Sequence, residues 1–404
     1  MSAQAGVDIG EITVKTAAGG ECTEIPAPGQ NPVEAVRAAL ASAGPASGAV
    51  AEGQVCVAVR DQWLSVDPAG AARMEEMRQE GGATARAGSL AWTGQLAASC
   101  AFAASLAPEP GQRRYLVCDV GGTGVRAGLF SVSAAAVRVE AVHAERDGGW
   151  RDFDDAVRAA LPGAQAARLP ADWYEQATAT ADRRARADQV FRDAAAGAED
   201  ERETSVYRIT VADDRIPLTA GMLIAAFEPT RQRLDAAVTA VLPGGAVPDR
   251  VVLVGGLGWL PLAAHAAVRA GNTPAAPAVL GTEAAARGAL LFAQGAARLA
   301  PPEGLQSVTV PAHRFRDGFL EEISVNLPWT EPFAAVPDGP LQIDRGELRV
   351  SVDGQPRTVR LPGLARGRYL IGLRPTWPGL GLLVVRPADG GAGHVVPLTE
   401  LAAQ

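Results

Sequence analysis

The sequence predicts a mixed α/β protein with a small all-β module at its C-terminal side. Three observations lead there. An apolar strand running into a glycine turn occurs at "GVDIGEIT" (6–13), "CDVGGTGV" (118–125) and "LVGGLGWLP" (253–261). Helical stretches rich in alanine, with apolar residues three and four apart, separate these strands. Beyond "APPEG" (300–304) the pattern changes to short alternating strands punctuated by Pro and Gly, without a convincing helix.

Taken in order, "AGVDIGEITVKTA" (5–17) alternates like a strand, turns at Gly10-Glu11 and leaves as a second strand. A short helix follows at "NPVEAVRAALASAG", then strand "QVCVAVRDQWL" (54–64), helix "PAGAARMEEMRQEGG" (68–82) and helix "GQLAASCAFAASLA" (94–107). "YLVCDVGGTGVRAGLF" (115–130) is the second strand–turn–strand, and "AAVRVEAVHAE" (135–145) extends that sheet. Residues 150–199 are charged and helix-like. "SVYRITV" (205–211) is a strand. Thr219 caps a long helix whose Leu223, Phe227, Leu234 and Val238 share one face, with Pro229 expected to kink or interrupt it. Strand "DRVVLVGGLGWLP" (249–261) and a helix over 282–299 close this part. "LQSVTV", "GELRVSV", "PRTVRLP", "RYLIGL", "GLLVVRP" and "HVVPLT" supply the strands of the β module, about one hundred residues long.

Composition narrows the partners. A net charge of -8 argues against nucleic acid, whose phosphates call for clustered cations. No apolar run reaches the roughly 18 residues that span a bilayer, and "MSAQAGVDIG" carries no leader pattern, so a cytoplasmic protein without a membrane partner is expected. Cys56, Cys100 and Cys118 sit in apolar runs and read as buried, inert thiols, while Cys22 does not. His143, His265, His313 and His394 have no metal-ligand spacing. Lys15 is the only lysine among 37 basic residues, so any lysine-dependent chemistry has one candidate.

The three glycine turns carry the chemistry. Successive N–H groups in such turns make an anion-binding concavity, and glycine lets a phosphate approach without a Cβ in the way. Two such turns facing each other would clamp a polyphosphate. Asp8 and Asp119, each two residues before a glycine, would then hold hydrated Mg2+, which prefers few carboxylates and several waters. Gly255-Gly256-Leu257-Gly258 lacks the spacing of a dinucleotide fingerprint, and no P-loop or G-x-S-x-G is present.

Order and spacing single out one plan. Two acid-bearing turns about 110 residues apart, a glycine strand end about 135 residues later and a closing helix match a duplicated, two-lobe actin-like ATPase (ribonuclease H-like). The chain resembles the heat shock protein 70 family, the DnaK-type chaperones. "GVDIG" is similar to that family's first phosphate motif and "YLVCDVGGTG" to its second. "AERDGGWRDFDDAV" (144–157) is similar to its GG-x-D-F-D segment, "DRVVLVGGLGWLPL" to its adenosine motif, and "GTEAAARGALLFA" (281–293) to the helix that follows. The resemblance implies a nucleotide-binding domain over 1–299, with lobe I at about 1–112 plus 281–299 and lobe II at about 113–280. A linker at 300–306 and a β-sandwich-like domain at 307–404 would follow.

The resemblance also implies a site. Asp8 and Asp119 would be the catalytic and metal-binding acids. Gly10, Thr13, Gly121, Gly122, Thr123, Gly255 and Gly256 would line the phosphates of ATP or ADP. Trp259 stands where one of two base-sandwiching arginines would be; its other reading is a core aromatic. Arg192 becomes the second stacking partner and Asp188 a ribose contact, with a solvated helix face as the alternative for Arg192.

Several positions depart from the family. Glu11 and Ile12 replace two threonines after Gly10, with Thr13 next. The second turn is one glycine short, so Thr123 falls one place early and Gly124 takes the threonine position. Arg126 stands at the family's second acid. Lys15 is not at the place of the phosphate-contacting lysine, and Gly94-Gln95-Leu96 replaces a Glu-Pro-Thr.

The expected function is therefore an ATP-binding, chaperone-type switch with weak or lost hydrolysis, its β domain meeting a client or partner protein. Phe315, Phe319, Trp329 and Trp377 could line that partner site or pack in the core. Two other readings stand beside it: an actin-fold sugar-type kinase, since "DVGGTGVRAG" is similar to a D-x-G-G-T phosphate motif, and a non-catalytic scaffold.

Overall fold

The computed structural model describes the chain from Gln4 to Leu398, apart from residues 11–12, 28–31, 44–53, 65–72, 75, 78–89, 109, 175–179, 181, 183–184, 186–188, 190–205, 212–213, 243, 245, 274–275, 301–306, 318, 328–340, 344–345, 362–366, 375–380 and 388–393. It is a mixed α/β protein with an all-antiparallel β region at its C-terminal side. The chain divides into two compact units. One comprises Met1–Tyr115, Gly128–Val142 and Glu283–Gln404, the other Leu116–Ala127 and His143–Thr282.

The first sheet is built from β1 (Gln4–Ile9), β2 (Thr13–Ala18), β3 (Glu21–Pro26), β4 (Gln54–Val59) and β5 (Leu90–Gly94), in the order β3-β2-β1-β4-β5. β1 runs antiparallel to β2 and parallel to β4, and β4 parallel to β5. Parallel strands covered on both faces read as continuous apolar runs, and every residue of β1 after Gln4 is buried. Helix α1 (Pro32–Ala43) puts Ala35 and Val36 into the same core as Val7, Val57, Met74 and Trp92. The strand expected over 54–64 stops at Val59. Asp61–Leu64 forms a 3-10 turn, because the Asp61 carboxylate is drawn to the next helix, accepting from the Leu96 amide at 3.1 Å. Of the helix expected over 68–82, residues 73–74 and 76–77 are described as helical, with Met74 and Met77 buried and Arg73 and Glu76 exposed. Helix α2 (Gln95–Leu106) follows β5 directly and is buried along most of its length.

The second sheet takes β6 (Arg113–Val120), β7 (Gly124–Ser133) and β8 (Ala136–Arg146). Helix α3 (Trp150–Ala160) and the short α4 (Gly163–Ala166) come next, then a separate hairpin of β9 (Val206–Val211) and β10 (Asp214–Thr219). Helix α5 (Ala220–Val241) is capped by Thr219, whose hydroxyl accepts from the Met222 amide at 3.1 Å. It runs continuously through Pro229, which therefore does not interrupt it. Leu223 and Phe227 before the proline, and Leu234 and Val238 after it, are all buried, and that packing outweighs one missing backbone bond. Strand β11 (Arg250–Val254), helix α6 (Pro261–Ala270) and strand β12 (Ala278–Val279) complete the second unit. The expected helix over 282–299 is shorter: α7 (Ala284–Ala293) is ended by Gln294 and Gly295, and β13 (Arg298–Leu299) pairs with β8. Helix α7 packs on β1, β4 and α2.

The six-stranded sheet has the order β12-β11-β6-β7-β8-β13. Apart from β13, it repeats the first sheet: third, second, first, fourth and fifth strand in chain order.

Eight strands make up the described β region: β14 (Val308–Arg316), β15 (Phe319–Asn326), β16 (Leu341–Ile343), β17 (Glu347–Val352), β18 (Gln355–Arg360), β19 (Gly367–Arg374), β20 (Leu382–Pro387) and β21 (His394–Pro397). They form two four-stranded sheets, β15-β14-β17-β18 and β16-β19-β20-β21. Strand β17 alternates, with Leu348, Val350 and Val352 buried and Glu347 and Arg349 exposed. Phe319 is 77% exposed, not packed in a core. Trp329 and Trp377 lie outside the described residues.

Candidate functional site: two matched glycine turns

In the first unit, β1 delivers Asp8 to the turn at Gly10. The Gly10 amide donates to the Thr13 carbonyl at 3.0 Å, closing the turn between β1 and β2. Asp8 is only 6% exposed, and its Oδ1 accepts from Gln95 Nε2 at 2.5 Å. The same amide donates to the Ile9 carbonyl at 3.0 Å, so the first residue of α2 ties down the end of β1. Lys15 stands opposite Asp8 in the antiparallel register, and opposite Glu24 on the other side. Its Nζ donates to Thr13 Oγ1 at 2.7 Å and lies 3.7 Å from Glu24, and the side chain is buried. The chain's one lysine is thus held at the end of the first turn.

The second unit repeats this geometry. The Gly121 amide donates to the Gly124 carbonyl at 3.0 Å. Asp119, at the end of β6 and 6% exposed, is ion-paired through Oδ2 with Arg126 Nη2 on β7. The two stretches align residue for residue, Asp8-Ile9-Gly10-Glu11-Ile12-Thr13-Val14-Lys15 on Asp119-Val120-Gly121-Gly122-Thr123-Gly124-Val125-Arg126. Each has its acid two residues before the turn glycine and a cation seven residues after the acid.

The second turn is held from two sides. The amides of Trp150 and Arg151, at the start of α3, donate to the carbonyls of Gly121 (2.9 Å) and Gly122 (3.1 Å), and the Asp147 amide to that of Thr123 (3.2 Å). Gly149 touches the turn backbone: a Cβ there would lie 2.6 Å from the Gly124 nitrogen and 2.7 Å from the Gly121 oxygen. Asp152 Oδ2 accepts from the Gly148 amide at 2.5 Å, fixing the bend that leads into α3. Phe153 is fully buried, and Asp154 accepts from Trp173 Nε1 at 2.6 Å and Arg158 Nε at 2.8 Å. The segment "DGGWRDFD" therefore buttresses the turn through its backbone, while Asp152 and Asp154 fix the segment itself.

From the other side comes the glycine end of β11. The Leu257 amide donates to the Val120 carbonyl at 3.0 Å. Gly255 has φ 87°, and a side chain there would collide with Asp119 Oδ1 and with the Val120 oxygen, so a backbone this close to the acid requires glycine. Gly256 is exposed with open space around it. Trp259 is half-buried with its ring centroid 4.1 Å from that of Tyr174, which extends through Trp173 and Trp150 into an aromatic cluster with Phe153 and Phe227.

Asp8, Gly10 and Thr13 thus come together in one unit, and Asp119, Gly121, Gly122, Thr123 and Gly255 in the other. Trp259 finds an aromatic neighbour of its own chain. Asp188 and Arg192 lie outside the described residues. Asp61 and Tyr174 are additions that no local motif marks, and the contacts of Gln95 and Gly149 are not announced by the segments in which the sequence placed them. Lys15 and Arg126 share a spacing visible in the sequence, which is the signal that could have found them as a pair.

Asp8 is engaged by Gln95 and Asp119 by Arg126. Among the described residues no group of three or more His, Cys, Asp or Glu side chains could hold a metal ion, and no helix is long and apolar enough to cross a membrane. No protein-family model matches the chain, and no curated protein matches it in sequence.

Proposed function

We propose that this chain is an actin-fold, heat shock protein 70-like nucleotide-binding protein. It would bind ATP or ADP through its glycine turns, work as a chaperone-type switch with weak or lost hydrolysis, and meet a client or partner protein through its β region. One observation carries the reading. The strand order third-second-first-fourth-fifth occurs twice, and both times the first and second strands are joined by a glycine turn closed by the same 3.0 Å bond with an aspartate two residues before it. A duplicated sheet with a furnished turn at the same place in each copy is the plan of the actin-like ATPases, and turns of this kind are suited to phosphate.

The neighbours of the two acids support weak or lost hydrolysis. Phosphoryl transfer depends on positioned groups around the transferred phosphate. Here Gln95 and Arg126 occupy the two acids that the resemblance makes catalytic. The test is calorimetric titration of the full chain with ATP and ADP, alongside a phosphate-release assay. Saturable binding of either nucleotide with negligible release is expected. Absence of binding to both removes the reading, and turnover comparable to active chaperones of the family removes the claim of weak hydrolysis.

A further inference from the structure

Resting on the nucleotide reading above, we infer that the Trp150 and Arg151 backbone amides aim the second glycine turn, so that Gly122 and Thr123 present their N–H groups together to one phosphate group. All four residues belong to the second unit. Every carbonyl of the turn, from Val120 to Gly124, accepts from a backbone amide. The donors are Leu257 to Val120 (3.0 Å), Trp150 to Gly121 (2.9 Å), Arg151 to Gly122 (3.1 Å), Asp147 to Thr123 (3.2 Å) and Gly121 to Gly124 (3.0 Å). Nothing among the described residues accepts from the Gly122 and Thr123 amides, and both residues are partly open to solvent. The acceptors of the turn are taken up within the protein, and two of its donors are left for a ligand.

Peptide geometry makes that division directional. In a planar trans peptide the C=O of one residue and the N–H of the next point in opposite directions. The Gly121 carbonyl is bonded to the start of α3, so the Gly122 N–H points away from α3. The Gly122 carbonyl is bonded there too, and the Thr123 N–H therefore points the same way. Two adjacent N–H groups on one side of a turn form a concavity for an anion and offer a cation nothing. A bond accepted at each carbonyl also polarises its peptide group and strengthens the N–H as a donor. The charge of Asp119 at this strand end is offset by Arg126, which reduces its repulsion of an anion. A phosphate oxyanion, which brings acceptors to two outward donors, is the ligand chemistry that fits. Trp150 and Arg151 act through the turn and are positioning residues.

The test compares Trp150→Pro with Trp150→Ala in the full chain, titrated with ATP by calorimetry. Both variants lose the indole, and only the proline loses the amide. Proline is tolerated at the first position of a helix, and Gly149 before it already has the extended backbone (φ -86°, ψ -167°) that a residue preceding proline adopts. Trp150→Pro is expected to bind ATP about tenfold or more weakly than Trp150→Ala. Amide NMR of the isotope-labelled wild type supplies a readout that packing alone would not move: the Gly122 and Thr123 amide protons should shift downfield as ATP is added. Equal affinity of the two variants, or ATP binding to the wild type with both resonances unmoved, overturns the inference and leaves the nucleotide reading standing. No binding of ATP or ADP to the wild type overturns both. The wild-type resonances decide the matter even where Trp150→Pro fails to fold.

Discussion

Gln95 Nε2 donates to Asp8 Oδ1 at 2.5 Å across 87 residues of sequence, joining the first turn of α2 to the end of β1. Removing one partner of a buried hydrogen bond to a carboxylate costs roughly 1–3 kcal/mol. Gln95→Leu keeps the volume and removes the donor. It is expected to lower unfolding free energy by about 2 kcal/mol, read as a lower urea midpoint with unchanged slope. An unchanged midpoint would show that the contact carries no stability.

Gly149 and Gly256 make a matched pair of substitutions. An alanine Cβ at 149 meets turn backbone on every side, and backbone cannot rotate away as a flexible side chain can. Gly149→Ala is expected to cost about 1–3 kcal/mol by displacing the second turn. Gly256→Ala enters open space and should change stability by less than about 0.5 kcal/mol. Thermal unfolding of both variants checks the contrast, and equal losses would contradict it.

How far the sequence reaches is decided by distance along the chain. The strands, the glycine turns and Asp8 and Asp119 are legible because each rests on a handful of consecutive residues. Duplication of strand order is legible only as spacing, since pairing β1 with β4 and β6 with β11 is a tertiary choice. The contact of Gln95 is invisible: nothing within its helix announces an aspartate 87 residues earlier. For Trp259 the sequence left a base-stacking residue and a core aromatic open, and its contact with Tyr174 comes from another segment. Pro229 misleads in the opposite direction, because the local rule that proline breaks a helix yields to apolar packing on both sides of it. Arg126 falls between these cases, its position conspicuous in the motif and its partner found only in three dimensions.

The cysteines divide cleanly by accessibility. Cys56 and Cys100 are completely buried and their thiols pushed far above the ordinary value by desolvation, while Cys118 is pushed up to about 12 by burial and then by Asp119. Cys22 is half-buried, and burial followed by Glu283 raises it too, by a smaller route that leaves the sulfur reachable. Thiolate is the reactive form, so a raised thiol alkylates slowly at pH 8 and faster as pH climbs. Iodoacetamide on the native protein should modify Cys22 first, more slowly than free cysteine, and reach the other three only on unfolding. Mass spectrometry of the digest reads this directly, and labelling of Cys118 as fast as Cys22 would refute it.

Glu228 provides the pH dependence. Hydrogen bonds from Arg231, at 2.5 and 2.7 Å to the two carboxylate oxygens, hold its carboxyl down at about 2 against an ordinary 4.5, with Gln232 adding a third at 3.0 Å. A carboxyl held below its unfolded value contributes stability that is present above about pH 4.5 and is lost as pH falls towards 2. The side chain is 43% exposed, so solvent screens the pair and its worth stays below about 1 kcal/mol. Glu228→Gln should therefore lower stability slightly at pH 7. The gap to the wild type should close as pH drops through that window, and it should narrow in 1 M salt, where screening shortens to about 3 Å. Urea unfolding of both proteins from pH 7 down to pH 3 measures it, and a gap that widens on acidification would reverse the assignment of Arg231 as the group that stabilises the ionised form.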